Sequence, residues 1–451
     1  MRKNWVSLTC IAALILFSIG AAPTSAPRPL SANILAVWEN ACAQFGWMNQ
    51  RGDWENSTIG QPGDIPVFVF FHWTSAISQL PVPNQNFGLE LYQTNITDTD
   101  LKKLTKFTHL QALDLENDDQ ITDVGLKVLT EFKQLNVLIL GVNNQVTDSG
   151  LEELAGLKQL HGLNLSDSSL TDAALKELAG LTQLQMLNLS GTSVTDAGLK
   201  ALAGFTHLQS LDLSGTVTDA GLKQLAGLTH LQSLGLYETK VTDAGLRELA
   251  GLKQLQDLEL DSAITDAGLK QLAGLTRLQS LDLSNTAITD TGLIELAGLT
   301  QLQTLNLANT HVTDTGLNEL AGLKNLWSLD LSGARVTDPG LKQLAGLTSL
   351  HSLSLAGTQV TGTGLSKLTR LTALHSLDLT GTPLTSMGLK KLAVLRHVII
   401  MNLDGTQVTD ADLQEFVGHR QLRELDLKGT RVTDAGIAEL KKKMPFVDIV
   451  H

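Results

Sequence analysis

The sequence predicts an α/β solenoid, with a curved parallel sheet inside and short helices outside. Three observations predict it. A 24-residue unit, typified by Gly180 to Ala203, recurs with small edits from about Phe87 to Leu440. Within it Leu187 and Leu189 alternate with Met186, Asn188 and Ser190, the period of two of a strand with one buried face. Thr195-Asp196 then supplies a helix N-cap followed by an acid in the first turn. One such copy buries too few apolar side chains to order its own backbone, so the copies must stack and share their leucines.

Residues 1–26 read as an export signal. Arg2 and Lys3 are its basic start, Val6 to Ile19 its apolar core, and Ser18 to Ala26 its small-residue end. The core is shorter than the ~20 residues a membrane helix needs. The expectation is an exported protein (periplasmic, cell-surface or secreted) with no membrane span beyond the leader itself, should it stay uncleaved. Pro23 and Pro27 follow the two best Ala cleavage points, which leaves the cut open.

Residues 27–86 differ in composition and hold four of the six tryptophans: Trp38, Trp47, Trp54 and Trp73. Ser31 to Phe45 predicts a short helix with Ile34, Leu35, Trp38 and Cys42 on one face. Asp64 to Trp73 predicts a buried strand, introduced by Gly60, Pro62 and Gly63. The segment is expected to cap the first copy, with an independent ligand-binding domain as the alternative.

The array, 87–440, carries a leucine at the first position of nearly every copy, from Leu110 through Leu184 to Leu422, at intervals of 23 to 25 residues. A truncated copy at Leu89 and Leu91 brings the count to about fifteen. In each, Gly191-Thr192 turns the chain and Val194 re-enters the core. Ala197, Leu199, Leu202 and Ala203 share one face of a helix of about two turns, and Gly204-Phe205 reads as a Schellman ending. Residues 441–451 close the chain, with Phe446, Val447 and Ile449 available to cover the last copy.

The pattern LxxLxLxxTxVTDAGLxxLAGL resembles a leucine-rich repeat, close to the ribonuclease-inhibitor-like and cysteine-containing subtypes. It is similar to exported bacterial proteins that carry the TDAGL form behind a Trp-rich segment. Thr192, Thr239, Thr286, Thr310, Thr358, Thr382, Thr406 and Thr430 stand where those subtypes carry Asn or Cys; Ala263 and Ala334 depart. A hydroxyl both donates and accepts, so such a Thr ladder can satisfy turn backbone as Asn does. The resemblance implies protein recognition on the concave face and no chemistry. Some eukaryotic relatives are F-box adaptors, but nothing in residues 27–86 resembles an F-box.

Composition agrees. A net charge of -13 argues against a nucleic-acid binder, which needs a clustered basic face. Cys10 and Cys42 are the only cysteines, so there is no disulfide scaffold and no Cys/His metal spacing. His109, His207 and His230 recur at loop positions without a nucleophile partner. The thirteen aspartates of the TD pair, such as Asp196 and Asp243, read as helix starts. No catalytic residue, cofactor or metal site is expected.

Specificity must lie where copies depart from the pattern. The central outward column runs Glu90, Asp114, Ile139, Asn164, Asn188, Asp212, Gly235, Glu259, Asp282, Asn306, Asp330, Ser354, Asp378, Asn402, Asp426; eight are acidic and none is basic. From Asp282 onward acids alternate with neutral residues, which sets them about 9.6 Å apart for strands ~4.8 Å apart. This reads either as solubility or as a trough for a basic protein or peptide. Lys176, Lys200, Lys223, Arg247 and Lys270 fall on the helices instead. Asp257, Glu259 and Asp261, with Asp282 alongside, form a local negative centre beside Tyr237; no EF-hand or RTX spacing makes it a Ca²⁺ site. The second departure is apolar. Trp327, His351, His375 and Ile399 take one position of four consecutive copies where Gln185, Gln209 and Gln232 stand earlier, and Ile400 follows. This row reads as packing at the sheet rim or as an interface anchor. The function expected is a monomeric, non-enzymatic interaction scaffold. The alternative is a structural envelope component with no specific ligand.

Overall fold

The computed structural model describes residues 32–41, 44–48, 54–55 and 65–451. The export signal, both cysteines and the turn at Gly60, Pro62 and Gly63 lie outside the described residues. What the alternating leucines predict is present: among the described residues, one sheet of 19 strands, with fifteen parallel strands from Phe87–Glu90 to Glu424–Asp426 following one another in chain order. Most are three residues long, and every coil sets its outward residue against the same residue of the next, as in Asp282↔Asn306 and Asn306↔Asp330. Inward leucines such as Leu187, Leu281 and Leu305 are buried in one core that runs from Trp38 to Ile449.

Before the array come helix α1 (Ala32–Glu39) and strands β1 (Gln44–Met48), β2 (Trp54–Glu55) and β3 (Ile65–Val69). β3 joins Phe87–Glu90 in parallel, and β1 pairs antiparallel with both β3 and β2. Trp38 is fully buried and stacks on Phe68 with centroids 4.3 Å apart; Phe87 and Phe107 close around it at 5.7 and 5.5 Å. Its indole N–H donates to the Pro81 carbonyl, 3.1 Å. The aromatics of this segment thus fill the end of the leucine core. The expected helix is shorter than Ser31–Phe45, because Phe45 belongs to β1 and packs edge-on against Phe68. The expected strand stops at Val69, because the chain turns there to begin the next coil and leaves Phe71 exposed. At the other end Asp448–Val450 pairs with Glu424–Asp426, and Ile449 is buried. Phe446 covers nothing: it precedes that strand and is 84% exposed.

The convex side departs most from expectation. Some coils carry one seven-residue α-helix, as Asp266–Leu272 and Asp290–Leu296, while others wind as 3₁₀ helix, as Gly150–Gly156 and Gly198–Gly204. A 3₁₀ winding rises ~2.0 Å per residue against ~1.5 Å for an α-helix, so it crosses the same width with fewer turns. In the type copy the buried face is Gly198, Leu199 and Leu202, while Ala197 and Ala203 are exposed. There is no Schellman ending. Gly204 has no left-handed φ, and the Phe205 N–H closes the helix on the Leu202 carbonyl, 2.9 Å. The left-handed residues stand instead just after the strand, at Gly191 (φ 69), Asn285 (φ 60) and their equivalents, where the chain reverses.

The threonine ladder satisfies turn backbone as expected, each hydroxyl within its own coil. Thr192, Thr286 and Thr358 each donate Oγ1–H to the carbonyl three residues back, 2.6 Å away. Coils are tied by the aspartate of the TD pair. Asp290 accepts from both the backbone N–H and the hydroxyl of Thr313 in the next coil, 2.7 and 2.6 Å. Asp314 does the same to Thr337 and Asp266 to Thr289. The bridge runs unbroken from Asp98–Thr122 to Asp338–Thr361. Meanwhile the threonine caps its own helix, as Thr289 Oγ1 accepts from the Thr291 N–H at 3.2 Å. The glycine of TDAGL makes room for this carboxylate: a Cβ at Gly198 would collide with Asp172, and one at Gly316 with Asp290. Where Gly362 and Ser386 replace the aspartate, the bridge lapses. Gly362 and Gly388 come into backbone contact, Thr385 donates to the Thr361 carbonyl, and Thr409 is held by Asp412 of its own coil.

The bridge predicts that Asp290→Ala lowers stability by about 1–3 kcal/mol, because it strips a buried-side N–H and a hydroxyl of their acceptor. Asp434→Ala, whose side chain is 99% exposed and faces no further TD coil, changes it by less than ~0.5 kcal/mol. Urea denaturation of the two variants beside the parent checks this; equal losses would remove the bridge as the tie between coils.

Candidate functional site

The concave face is built by the residues that alternate with the buried leucines, two per strand. In the C-terminal half the first of these is small and polar, as Ser280, Ser328, Ser352 and Ser376, and the second is the acid-rich column. Strand pairing places all fifteen column residues in one line, from Glu90↔Asp114 to Asn402↔Asp426. Most have a structural duty. Asp282, Asn306, Asp330, Asp378 and Asn402 each accept, through Oδ1, the N–H two residues on, at 2.7 to 3.0 Å, and so close the strand end. The alternation is also bonded. Asn306 donates to Asp282 Oδ2 at 2.9 Å, and Ser354 reaches Asp378 Oδ2 at 3.4 Å. The column contains no base, but Lys428 reaches into it and pairs with Asp426 at 3.1 Å. The helix cations Lys176, Lys200, Lys223, Arg247 and Lys270 are exposed on the opposite side.

The negative centre is assembled from a different set than expected. Glu259 sits opposite Asp282, and Asp257 opposite Ser280. Glu259 is exposed, yet its carboxyl is raised to about 7. Desolvation by the concave wall is the largest cause, followed by the charges of Asp212, Asp282 and Asp257. Asp261 takes no part: it lies past the strand and accepts the Ser262 N–H at 2.6 Å. Asp212 takes its place from two strands away, because Gly235 between them has no side chain and a Cβ there would strike Asp212 Oδ1. The single glycine in the column was the available signal. Tyr237 stands 50% exposed, two residues beyond it.

The apolar row does come together. Trp327 stacks on His351, centroids 5.1 Å apart and planes 18° from parallel, and His375 meets His351 edge-on at 5.2 Å. Each backbone N–H donates to the carbonyl of the preceding member, Ile399 to His375 included, at 2.7 to 2.9 Å. His351 Nδ1–H donates to the Ser349 carbonyl, 2.7 Å, which fixes the ring in the stack. Trp327, His351 and Ile399 are half-buried; His375 and Ile400 are exposed. Among the described residues no group of three or more His, Cys, Asp and Glu is placed to hold a metal.

Three features escaped the sequence. At the N-terminal end the inner face is apolar, with Val67, Val69, Ala112 and Val137 buried together and Ile139 against them. Beside it lie Asp114 and Asp118, both buried; Asp118 accepts the Asn95 N–H at 2.5 Å. Near the other end His419 occupies a leucine position and is buried against Phe416, centroids 6.1 Å apart.

The family model described as leucine-rich repeats (2 copies) matches residues 276–322, and the one described as leucine-rich repeat matches 181–203, 322–345, 346–368 and 419–441. Among solved structures, a leucine-rich repeat protein of Leptospira interrogans aligns at 23% identity with a TM-score of 0.56, covering 85% of this chain and 93% of its own. An internalin of Listeria monocytogenes aligns at 25% identity with a TM-score of 0.48, covering 79% and 88%. No curated protein matches the chain in sequence. Leucine-rich repeat domains are, as a class, generally protein-interaction scaffolds and typically non-enzymatic. Among the described residues no helix is long and apolar enough to cross a membrane.

Titrating groups at the two ends pull stability in opposite directions. Burial foremost raises Asp114 to about 7 and Asp118 to about 6. The unfolded carboxyls titrate near ~4, so the folded chain holds extra protons between, and this contribution weakens as pH rises toward 7. Burial foremost lowers His397 and His419. Unfolded imidazoles protonate below ~6.5, so their contribution is lost as pH falls. Asp114→Asn is therefore expected to raise the melting midpoint most at about pH 8 and by clearly less at about pH 5. His419→Leu raises it more at low pH than at high. Melting curves across that range check both signs.

Proposed function

We propose that this leucine-rich repeat protein is a non-enzymatic scaffold that binds a protein or peptide on its concave face. The observation that carries the reading is the stacked row Trp327–His351–His375, continued by Ile399 and the exposed Ile400. Elsewhere this position is most often a glutamine, as Gln185, Gln209 and Gln232, with Asn136, His161 and Arg423 the other occupants. Replacing amides by rings in consecutive coils adds apolar surface to a face that the fold does not need to cover, and large aromatics are the residues that anchor interfaces. The acids Asp257, Glu259, Asp282 and, through Gly235, Asp212 give the same face a negative centre near Tyr237, suited to a basic partner; Asp261 stands at its margin.

The same reading takes residues 1–26 as an export signal, 27–86 as a cap, 87–440 as the array and 441–451 as its closing segment. It assigns the array to the TDAGL form near the ribonuclease-inhibitor-like subtype, and the chain to a monomer outside the cytoplasm. The basic start and short apolar core of the leader support export.

Trp327→Ala combined with Ile400→Ser is expected to abolish capture of partners from a native extract while leaving the melting midpoint within a few degrees. Unchanged capture would dismiss the face and favour the structural, ligand-free alternative.

A further inference from the structure

Resting on the concave-face reading, we propose that the C-terminal half of that face is a groove for a basic segment in the polyproline II conformation, with a cationic residue at every third position. Three parallel rows make the groove. Ser328, Ser352 and Ser376 open their strands and form a floor of small side chains. Two residues on along each strand, the column with Asp282, Asp330, Asp378 and Asp426 is one wall. Immediately before each strand, the stacked rings of Trp327, His351 and His375 are the other, and Ile400 ends the floor as an exposed apolar stop.

The periods select the occupant. Strands lie ~4.8 Å apart, so the alternating acids repeat every ~9.6 Å along the groove. A polyproline II helix turns once in three residues and rises ~3.1 Å per residue, so every third side chain returns to one face after ~9.3 Å. A segment lying along the groove therefore sets each third residue against an acid. An extended strand, at ~3.3 Å per residue with a period of two, brings its residues back every ~6.6 Å and falls out of step within two coils. The remaining faces of the polyproline II helix turn toward the rings, and prolines dock against aromatic walls in this conformation with little ordering cost. Charge fixes the sign of the partner: no basic residue stands between Asp282 and Asp378 in the column, and Asn306 and Ser354 are neutral spacers. Asp330 and Asp378 keep their partial exposure beside the rings, whereas Asp426 is answered by Lys428. The contact is therefore centred on those two acids.

The test uses three labelled dodecapeptides and the full chain at physiological salt: (Pro-Pro-Lys)₄, the same composition with its lysines gathered at one end, and (Pro-Pro-Glu)₄. Fluorescence anisotropy is expected to show the periodic lysine peptide binding at least about tenfold more tightly than the blocked one, with no binding of the glutamate peptide. Asp330→Asn with Asp378→Asn, and separately Trp327→Ala, are each expected to weaken it about tenfold. Circular dichroism and melting verify that the variants fold. Equal binding of periodic and blocked lysine peptides would overturn the periodic match and leave a nonspecific acidic surface. Absence of binding by all three would also overturn it. Either outcome, with capture still lost in Trp327→Ala/Ile400→Ser, refutes this occupant alone; capture unchanged refutes the concave-face reading with it.

Discussion

From Asp98 to Thr361 each coil is fastened to the next by one carboxylate. In a solenoid the core leucines are interchangeable: apolar contact supplies energy but does not say how far one coil sits from its neighbour or at what angle. The aspartate of the TD pair does say so. Its two oxygens take the N–H and the hydroxyl of the next coil's threonine, as Asp243 takes those of Thr265 at 2.8 and 2.6 Å, and the glycine of TDAGL lets the coils close to that distance. The same threonine caps its own helix. One residue pair therefore ends a turn, starts a helix and links two coils on the convex flank, while strand pairing keeps the concave rows in register even where that bridge lapses.

How much of this is legible in the sequence depends on whether a signal is local. Alternation of Leu187 and Leu189 with polar neighbours is local, and it places the strands, their register and all fifteen column residues. The Thr-Asp start of the helix is local too, but the partner of Asp196 lies 22 residues on, at Thr218, and no period within one copy points to it. Gly204 suggested a Schellman ending from its position alone, whereas the observed 3₁₀ closure depends on the width the helix must span. Asp261 looked close to Glu259 because it is close in sequence. Asp212, two strands away, acts on Glu259 because Gly235 on the strand between them has no side chain.

The concave column has two uses at once. An Asp or Asn there accepts the N–H two residues on, so the fold itself asks for that residue type, and a run of acids alone is no sign of a ligand. What the fold does not ask for is informative. It has no need of Glu259, whose longer side chain sits among three carboxylates and holds its proton to about 7. It has no need of rings at Trp327, His351 and His375 in place of amides. Sequence shows that these residues are unusual, and the structure adds that the rings touch one another beside a floor of serines.

The bridge between coils is directional: every coil offers a carboxylate forward and presents a threonine backward. A length of chain removed or duplicated between equivalent aspartates would regenerate the same joint, because each half of the pair is supplied by a different copy. Array length is therefore open to change by whole units at almost any point from Asp98 to Thr361. The coils around Gly362 and Ser386 are the exception, since a glycine contact and the self-contained Thr409–Asp412 pair stand there in place of the bridge. Beyond that seam the bridge resumes, with Asp410 taking the N–H and the hydroxyl of Thr433 at 2.8 and 2.7 Å, so the last joint is again of the exchangeable kind.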